Sequence, residues 1–150
     1  MPDRQASIAL IRHHDEPEQH WLAFWNDAKS YFSFITAERL ESESWRECLD
    51  RELAWQLDLR RGKDYLISSM ARLHFEESEV DFNSNDESKL EIEFYVVDPY
   101  GRKGREVFAA LPNSQWLSNK ELMAGRCDDD RPIDPWLVQL LQKADLLPKG

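Results

Sequence analysis

A single amphipathic segment, "WRECLDRELAWQLDL" (Trp45–Leu59), constrains the fold of this chain more than any other feature. Its apolar residues recur at close to every fourth position, which is the period of an α-helix with one buried face. The members of this stripe are Trp45, Cys48, Leu49, Leu53 and Leu57. The sequence therefore predicts a helix whose apolar stripe packs on a sheet.

The start and the second face of this helix are also evident. Ser44 is followed three residues later by Glu47, the spacing of a capping box in which each side chain satisfies a free backbone amide of the first turn. Glu52, Trp55 and Gln56 are spaced so that they share a face outside the apolar stripe. These three side chains are therefore able to act together.

Strand patterns lie on both sides of the helix. Before it, residues 7–12, 21–25 and 31–35 are rich in β-branched or aromatic residues, and the first two runs predict a hairpin. After it, residues 65–75 and 89–97 predict strands that flank an acidic polar loop. The second of these alternates apolar with polar or tyrosine side chains, as a half-buried strand does.

The C-terminal third adds one more strand and two helices. "REVFAAL" (residues 105–111) predicts a strand, and "WLSNKELM" (residues 116–123) predicts a strand end that runs into a short helix. Asp134 and Pro135 form an N-cap and first-position pair for a final helix. This order predicts an α/β (α+β) fold, with a mixed sheet and helices packed on its faces, in a single domain over residues 1–150.

Composition excludes several functional classes. The net charge of -10 would repel a phosphate backbone, so we expect no nucleic-acid partner. No apolar run approaches the roughly 20 residues of a membrane span, and the N-terminal stretch lacks the layout of a signal peptide, so we expect a cytoplasmic protein without a membrane partner. Cys48 and Cys127 are far apart in sequence and form neither a disulfide framework nor a zinc pattern.

The helix and the order of elements together resemble the Nudix superfamily, which cleaves nucleoside diphosphates linked to another moiety. The family's box reads Gly, five residues, Glu, seven residues, Arg-Glu-apolar, one residue, Glu-Glu, one residue, Gly-apolar. In this chain Glu43, Arg51, Glu52, Leu53 and Leu59 match that box. The resemblance covers most of the chain and implies an α/β/α sandwich in which helix glutamates hold Mg²⁺ or Mn²⁺ against a diphosphate.

The departures from the box fall on the chemistry. Trp55 and Gln56 replace the Glu-Glu pair, Asp58 replaces the last Gly, and Thr36 and Ala37 occupy the upstream glycine positions. An indole offers no oxygen to a metal, and a neutral amide offers only a weak carbonyl ligand. Of the three helix glutamates that the resemblance implies, this chain keeps Glu52 alone.

These departures leave three interpretations open. In the first, the protein has a degraded metal site and binds a nucleotide-type ligand or a protein partner with little or no catalysis. In the second, it is an active metal-dependent pyrophosphohydrolase in which Mg²⁺ or Mn²⁺ is held by Glu52, with Gln56, Glu91 or Glu93 supplying displaced ligands. In the third, it is a dimerising interaction protein in which Trp55 fills the former site.

Tryptophans and histidines supply further candidates. Trp21 and Trp25 fall on one side of their predicted strand, and with Trp55 they could stack on a base, form a partner or homodimer surface, or fill the core. The segment from His13 to His20 suggests a metal site, but His13 and His14 are adjacent and would point to opposite faces of a strand. A solvated turn is the simpler interpretation of that segment.

Overall fold

The computed structural model describes residues 4–13, 19–81 and 86–145. Its strands and helices follow one another along the chain as β1 Arg4–Ile11, β2 His20–Asn26, β3 Tyr31–Ser33, β4 Thr36–Glu38, α1 Trp45–Leu57, β5 Tyr65–Ile67, β6 Leu73–Asp81, β7 Asp86–Pro99, α2 Gly101–Ala109, β8 Ser114–Ser118, α3 Asn119–Ala124 and α4 Pro135–Ala144. Among these residues no helix is both long and apolar enough to cross a membrane.

The strands form two sheets. The larger sheet has the order β4-β1-β7-β5, and β6 also pairs with β7. Within it β1 runs parallel to β7, from Arg4 opposite Leu90 to Ile11 opposite Val97, while the other pairs are antiparallel. The smaller sheet, β3-β2-β8, is antiparallel. The larger sheet is therefore mixed, as the sequence predicted.

The predicted hairpin between β1 and β2 is wrong. The two strands belong to different sheets, and among the described residues their only backbone pairing is an isolated bridge between Arg12 and Trp21. The physical reason lies in β1, which is buried without interruption from Ala6 to Ile11. A strand that is buried on both faces occupies the interior of a sheet, where it needs two neighbours of its own.

Two apolar clusters lie on the two faces of the larger sheet. One packs β1 and β7 against the smaller sheet, α3 and α4, and its largest fully buried side chains include Phe32 and Phe94. The other packs the opposite face against α1 and α2. Helices thus cover the sheets on both sides, and the predicted α/β (α+β) class is confirmed as an α/β/α sandwich with a mixed sheet.

Helix α1 begins and packs as its sequence predicts. Ser44 caps it, with the side chain of Ser44 accepting from the amide of Glu47 and the side chain of Glu47 accepting from the amide of Ser44. Cys48, Leu49 and Leu53 are buried against the larger sheet. The stripe therefore fixes which face of α1 is turned away from the sheet.

The strand predicted at residues 105–111 is wrong, because this segment belongs to α2 and the turn after it. Val107, Phe108 and Leu111 all contact the cluster under α1, a spacing that suits a helix and not a strand. Gly101 begins the helix with a φ of 64°, a backbone conformation that glycine adopts readily. In so short an apolar run, periodicity alone does not distinguish a helix from a strand.

The acidic loop predicted between two strands is also largely wrong. Strand β6 continues to Asp81 and β7 starts at Asp86, so most of that segment forms a long antiparallel hairpin. Pairing with β7 satisfies the backbone of β6, and exposure alternates from one residue to the next between Leu73 and Glu77, as a strand requires. Residues 82–85 lie outside the described residues.

Candidate functional site

Arg51 is the centre of the polar face of α1. Its guanidinium donates to both carboxylate oxygens of Glu43, at 2.7 and 3.1 Å. It also donates to one oxygen of Glu52 at 2.8 Å and to the backbone carbonyl of Glu38 at 2.8 Å. Arg51 therefore ties β4 and the loop before α1 to the middle of the helix.

The same contacts perturb the two charged partners. The hydrogen bond from Arg51 lowers the pKa of Glu43 below its ordinary value, and the bond to Glu43 raises the pKa of Arg51. Both groups are consequently held in their charged forms. Two of the residues that match the box thus form an ion pair that stabilises the local structure.

The carboxylate of Glu52 is already engaged on both oxygens. One oxygen accepts from Arg51, and the other accepts from the side-chain amide of Gln56 at 2.7 Å. Trp55, which occupies the position between them on this face, is 84% exposed and offers no oxygen ligand. The donor set on this helix face does not fit the magnesium ion that the resemblance implies, because a hard cation requires several oxygen ligands.

Glu91 and Glu93 lie on β7, opposite β6. His74 stands directly across from Glu93, and Glu76 stands across from Glu91. The two ring nitrogens of His74 approach these carboxylates, with Nδ1 at 2.7 Å from Glu93 and Nε2 at 3.1 Å from Glu76 and 3.4 Å from Glu91. The hydrogen bond to Glu93, together with that to Glu76, raises the pKa of His74.

This second group of acids lies beside a different turn of α1 from the turn that carries Glu52. The ring of His74 contacts the ring of Trp45 edge-on, with centroids 5.6 Å apart, and Trp45 is the first residue of the helix. Glu52 follows two turns later, about 10 Å further along the helix axis. The structure therefore places Glu91 and Glu93 with His74 at the start of α1, while Glu52 and Gln56 lie towards its end.

A cavity of about 630 Å³ adjoins the end of α1 at Gln56. Its other walls are strands β2 and β3, the turn between them, the residues that lead from β3 into β4, and the start of α4. Its lining includes four aromatic side chains, one carboxylate and one amide, from Trp25, Tyr31, Phe34, Trp136, Asp27 and Gln56. No lysine or arginine lines it within the part of the chain that the structure describes.

Trp25 is an aromatic side chain of the cavity wall that several contacts hold in place. Its indole N–H donates to Asp27 at 3.0 Å, and its ring meets Phe32 edge-on at 5.1 Å. The guanidinium of Arg131 lies 5.9 Å from the Trp25 ring and 4.6 Å from that of Phe32. These contacts fix the orientation of the indole.

Asp134 joins the opposite walls of the cavity. It is buried, and it accepts from the hydroxyl of Ser33 at 2.9 Å and from the amide of Trp136 at 3.0 Å. Its own amide donates to the carbonyl of Phe32 at 2.8 Å. The N-cap predicted at Asp134 therefore also connects α4 to β3.

The structure does not bring the three candidate tryptophans to one place. Trp21 is 3% exposed in the core, where its indole N–H donates to Asn119 at 2.7 Å. Trp55 points into solvent, and only Trp25 of the three lines the cavity within the described chain. Sequence reasoning missed Tyr31 and Trp136 as site residues because nothing local distinguishes them from core aromatics.

The histidine-rich segment after β1 is described only at its ends. His13 contacts Trp116 edge-on at 4.7 Å, and its amide donates to the carbonyl of His20. The solvated turn predicted for this segment falls on residues 14–18, which lie outside the described residues.

Comparison with solved structures places the fold. A mutT/nudix family protein from Listeria innocua matches with a TM-score of 0.56 at 16% identity, over 97% of this chain and 93% of that one. The Escherichia coli dihydroneopterin triphosphate pyrophosphohydrolase matches with a TM-score of 0.59 at 10% identity, over 95% and 96%. Shewanella oneidensis NrtR matches with a TM-score of 0.59 at 11% identity, over 93% of this chain and 60% of that chain.

The chain therefore has a Nudix-like fold, and the predicted resemblance is confirmed at that level. No family model and no curated protein sequence matches it. At such low identities the structural likeness defines the fold alone, and function has to be argued from the side chains.

Proposed function

We propose that this protein is a Nudix-fold binding protein that takes a nucleotide-type ligand in the cavity beside Gln56 without metal-dependent hydrolysis at Glu52. The observation that carries the proposal is the engagement of both Glu52 oxygens by Arg51 and Gln56. A dication at this face would have to share Glu52, the one carboxylate there, with a charged guanidinium and an amide. It would then find a neutral amide and an indole where two further carboxylates are needed.

The lining of the cavity favours the base of such a ligand. Trp25, Tyr31, Phe34 and Trp136 provide aromatic surface, and flat heterocycles stack on such rings. Asp27 provides a carboxylate that can accept from ring or exocyclic N–H groups. One structural neighbour is named for a triphosphate of a heterocycle, and in this chain the cavity suits the heterocycle better than the phosphates.

The absence of basic side chains from the described lining determines the expected order of ligand affinities. A polyphosphate would face the carboxylate of Asp27, and the described lining itself supplies no lysine or arginine to balance its charge. We expect nucleosides to bind at least as tightly as the corresponding triphosphates. This order is the reverse of that expected for a site in which a metal holds a diphosphate.

The test is a binding series on the full chain. Nucleosides and their mono-, di- and triphosphates are added one at a time, and the shift in thermal unfolding temperature is measured, since a ligand that binds only the folded state raises it. Trp25→Ala should weaken binding by about 5- to 150-fold, because one base stacked on an aromatic side chain contributes about 1–3 kcal/mol. Trp55→Ala, which changes an exposed tryptophan outside the cavity, is the matched control and should leave binding unchanged.

A turnover assay tests the other half of the proposal. Nucleotide sugars, dinucleoside polyphosphates and nucleoside triphosphates are incubated with Mg²⁺ or Mn²⁺ at high protein concentration, and we expect no product. Metal-dependent release of products that is lost in Glu52→Gln would overturn the proposal in favour of an active pyrophosphohydrolase.

A second candidate function follows from the exposure of Trp55. A tryptophan with 84% of its surface in solvent is a side chain that interfaces bury preferentially. If the protein is a dimerising interaction protein, the mass in solution should exceed that of one chain, and Trp55→Ala should reduce it. A monomer that binds a nucleoside would exclude the homodimer and favour the cavity.

A further inference from the structure

A second group of potential ligand atoms lies on β6 and β7, beside the first residue of α1 and away from Glu52. His74 and Glu76 on β6 face Glu93 and Glu91 on β7 as two directly opposed cross-strand pairs. One nitrogen of His74 and one carboxylate oxygen each from Glu76 and Glu91 all lie within 4.8 Å of one another. Adjacent antiparallel strands thus place an imidazole and two carboxylates around one point.

The orientation of the imidazole is fixed by contacts on the side of the ring that carries Nδ1. Glu93 holds Nδ1 at 2.7 Å, and the other oxygen of Glu93 accepts from the hydroxyl of Tyr95 at 2.7 Å. The ring of Trp45 packs edge-on against the imidazole. A metal at Nε2 would release the Nε2 proton to solvent. Glu93, which binds Nδ1, would then keep the Nε2 lone pair directed outward, which is the arrangement found behind metal-binding histidines.

The distances at the front of the ring suit an ion. Nε2 of His74 lies 3.1 Å from Glu76 and 3.4 Å from Glu91. Ligand atoms about 2.0 Å from a tetrahedral Zn²⁺ lie about 3.3 Å from one another. The two distances from Nε2 therefore already suit a shared ion, and the oxygens of Glu76 and Glu91 lie within 4.8 Å of each other. A fourth position would remain for water.

We propose that His74, Glu76 and Glu91 bind a divalent transition-metal ion of the Zn²⁺ class, with Glu93 as the positioning residue for His74. This site is separate from the proposed ligand cavity and does not depend on it. One imidazole with two carboxylates suits Zn²⁺, whereas Mg²⁺ and Ca²⁺ prefer oxygen ligands alone and more of them.

The surrounding charges are consistent with a dication. Lys89 lies 3.1 Å from the outer oxygen of Glu76 and 3.9 Å from that of Glu91, so the oxygens nearer to His74 remain turned towards Nε2. Three carboxylates, Lys89, a neutral imidazole and one dication sum to zero charge. Lys89 partly neutralises the site, and we expect its removal to strengthen binding of the ion.

The experiment titrates the metal alone into the chelator-treated full chain, followed by calorimetry with Zn²⁺ and by visible absorption with Co²⁺. We expect one equivalent of Zn²⁺ to bind the wild-type protein. The affinity for Zn²⁺ should fall at least 10-fold in His74→Asn and about 10- to 100-fold in Glu93→Gln. Lys89→Met should bind more tightly. His20→Asn, a histidine outside this group, is the matched control and should bind as the wild type does.

Several outcomes separate this proposal from simpler explanations. Equal Zn²⁺ affinity in His74→Asn and His20→Asn, or displacement of Zn²⁺ by equimolar Mg²⁺, would overturn it and indicate binding by scattered surface acids. If His74→Asn does not fold, Glu91→Gln and the Co²⁺ spectrum of the wild-type protein decide the matter. Glu52→Gln should leave Zn²⁺ binding unchanged, so failure of the proposed function and failure of this site are distinguishable.

Discussion

Arg51, one of the residues that match the box, makes several structural contacts within the chain. It bonds Glu43, Glu52 and the carbonyl of Glu38, and so joins three successive parts of the chain. These contacts require only that the helix and the loop before it keep their relative positions.

The ion pair between Arg51 and Glu43 should make stability depend on pH. We expect Arg51→Met to lower the unfolding temperature by a few degrees at neutral pH, because Glu43 and Glu52 lose their charged donor. The pKa of Glu43 is lowered from 4.5 in the folded state, so its contribution is present above that value and is lost as the pH falls through the lowered pKa.

The measurement is thermal unfolding of wild type and variant at neutral pH and at about pH 3. The difference between the two proteins should shrink at the lower pH. Arg102→Met removes an exposed ion pair with Glu106 and is the matched control, for which we expect little change at either pH. A difference that is equal at both pH values would show that packing of the Arg51 side chain, and not its charge, stabilises the protein.

The two replaced acids allow a direct gain-of-function prediction. The double substitution Trp55→Glu, Gln56→Glu should raise affinity for Mg²⁺ at least about 10-fold, because it restores two carboxylates and removes the amide that engages Glu52. Calorimetry with Mg²⁺ measures the effect. Lys103→Glu changes the net charge by the same amount on exposed α2 and should have no such effect. Equal affinity in both variants would mean that Thr36 and Ala37 hold the preceding loop in another conformation.

At the scale of elements, α2 is held unusually close to the segment before β5. A Cβ built on Gly104 would lie 2.4 Å from the backbone oxygen of Asp64, a distance at which the backbone must move. The amide of Tyr100 also donates to that oxygen at 2.9 Å. A side chain at position 104 would therefore push α2 away from the segment before β5.

We predict that Gly104→Ala lowers the unfolding temperature, although glycine to alanine within a helix ordinarily stabilises a protein by about 1 kcal/mol. The reason is the clash with Asp64, which outweighs the gain in helix propensity. Thermal unfolding measures the effect, and Lys103→Ala, one residue earlier on the exposed face, should be nearly neutral. An unchanged or higher unfolding temperature in Gly104→Ala would show that α2 shifts without cost.

The elements that could be predicted from sequence are those whose signals are local. The cap at Ser44 and the apolar stripe of α1 lie within one segment, and the structure reproduces both. Strand partners are not local, so the sequence could not show that β1 pairs with β7 and not with β2. It also could not show that the acidic segment after Phe75 would be recruited as strand by pairing with β7.

The candidate site follows the same division. Arg51 and Glu43 could be found because a motif spaces them. The cavity could not, because Trp25, Tyr31 and Trp136 come from separate segments and each has the pattern of a core residue. His74 has the sequence context of a structural histidine, since its carboxylate neighbours on β7 become visible only through strand register.

At the scale of the whole molecule, Asp134 couples the smaller sheet to the C-terminal helix. It caps α4 through the amide of Trp136 and accepts from Ser33 on β3. A backbone bridge between Phe32 and Ile133 continues the same contact. The shape of the cavity therefore depends on one buried carboxylate between two remote parts of the chain.

We predict that Asp134→Ala lowers stability by more than the about 1 kcal/mol that loss of an N-cap alone costs, because the bond from Ser33 is lost as well. It should also weaken nucleoside binding, since Trp136 would no longer be held at the cavity wall. Chemical denaturation and the thermal-shift series measure the two effects. Ser33→Ala, which removes only the second bond, should fall between Asp134→Ala and the wild type; equality of all three would contradict the coupling.

The parallel pairing of β1 with β7 has a consequence for the order in which the molecule assembles. Ile8 is paired with Phe94, so the central pair of the larger sheet joins segments that most of the chain separates. During synthesis β1 leaves the ribosome long before β7 has been made. The apolar side chains of β1 therefore stay exposed until β1 pairs with β4 or with β7. Closing so large a loop is slow, so we expect folding on the millisecond-to-second scale, with the pairing of β1 and β7 as a late event.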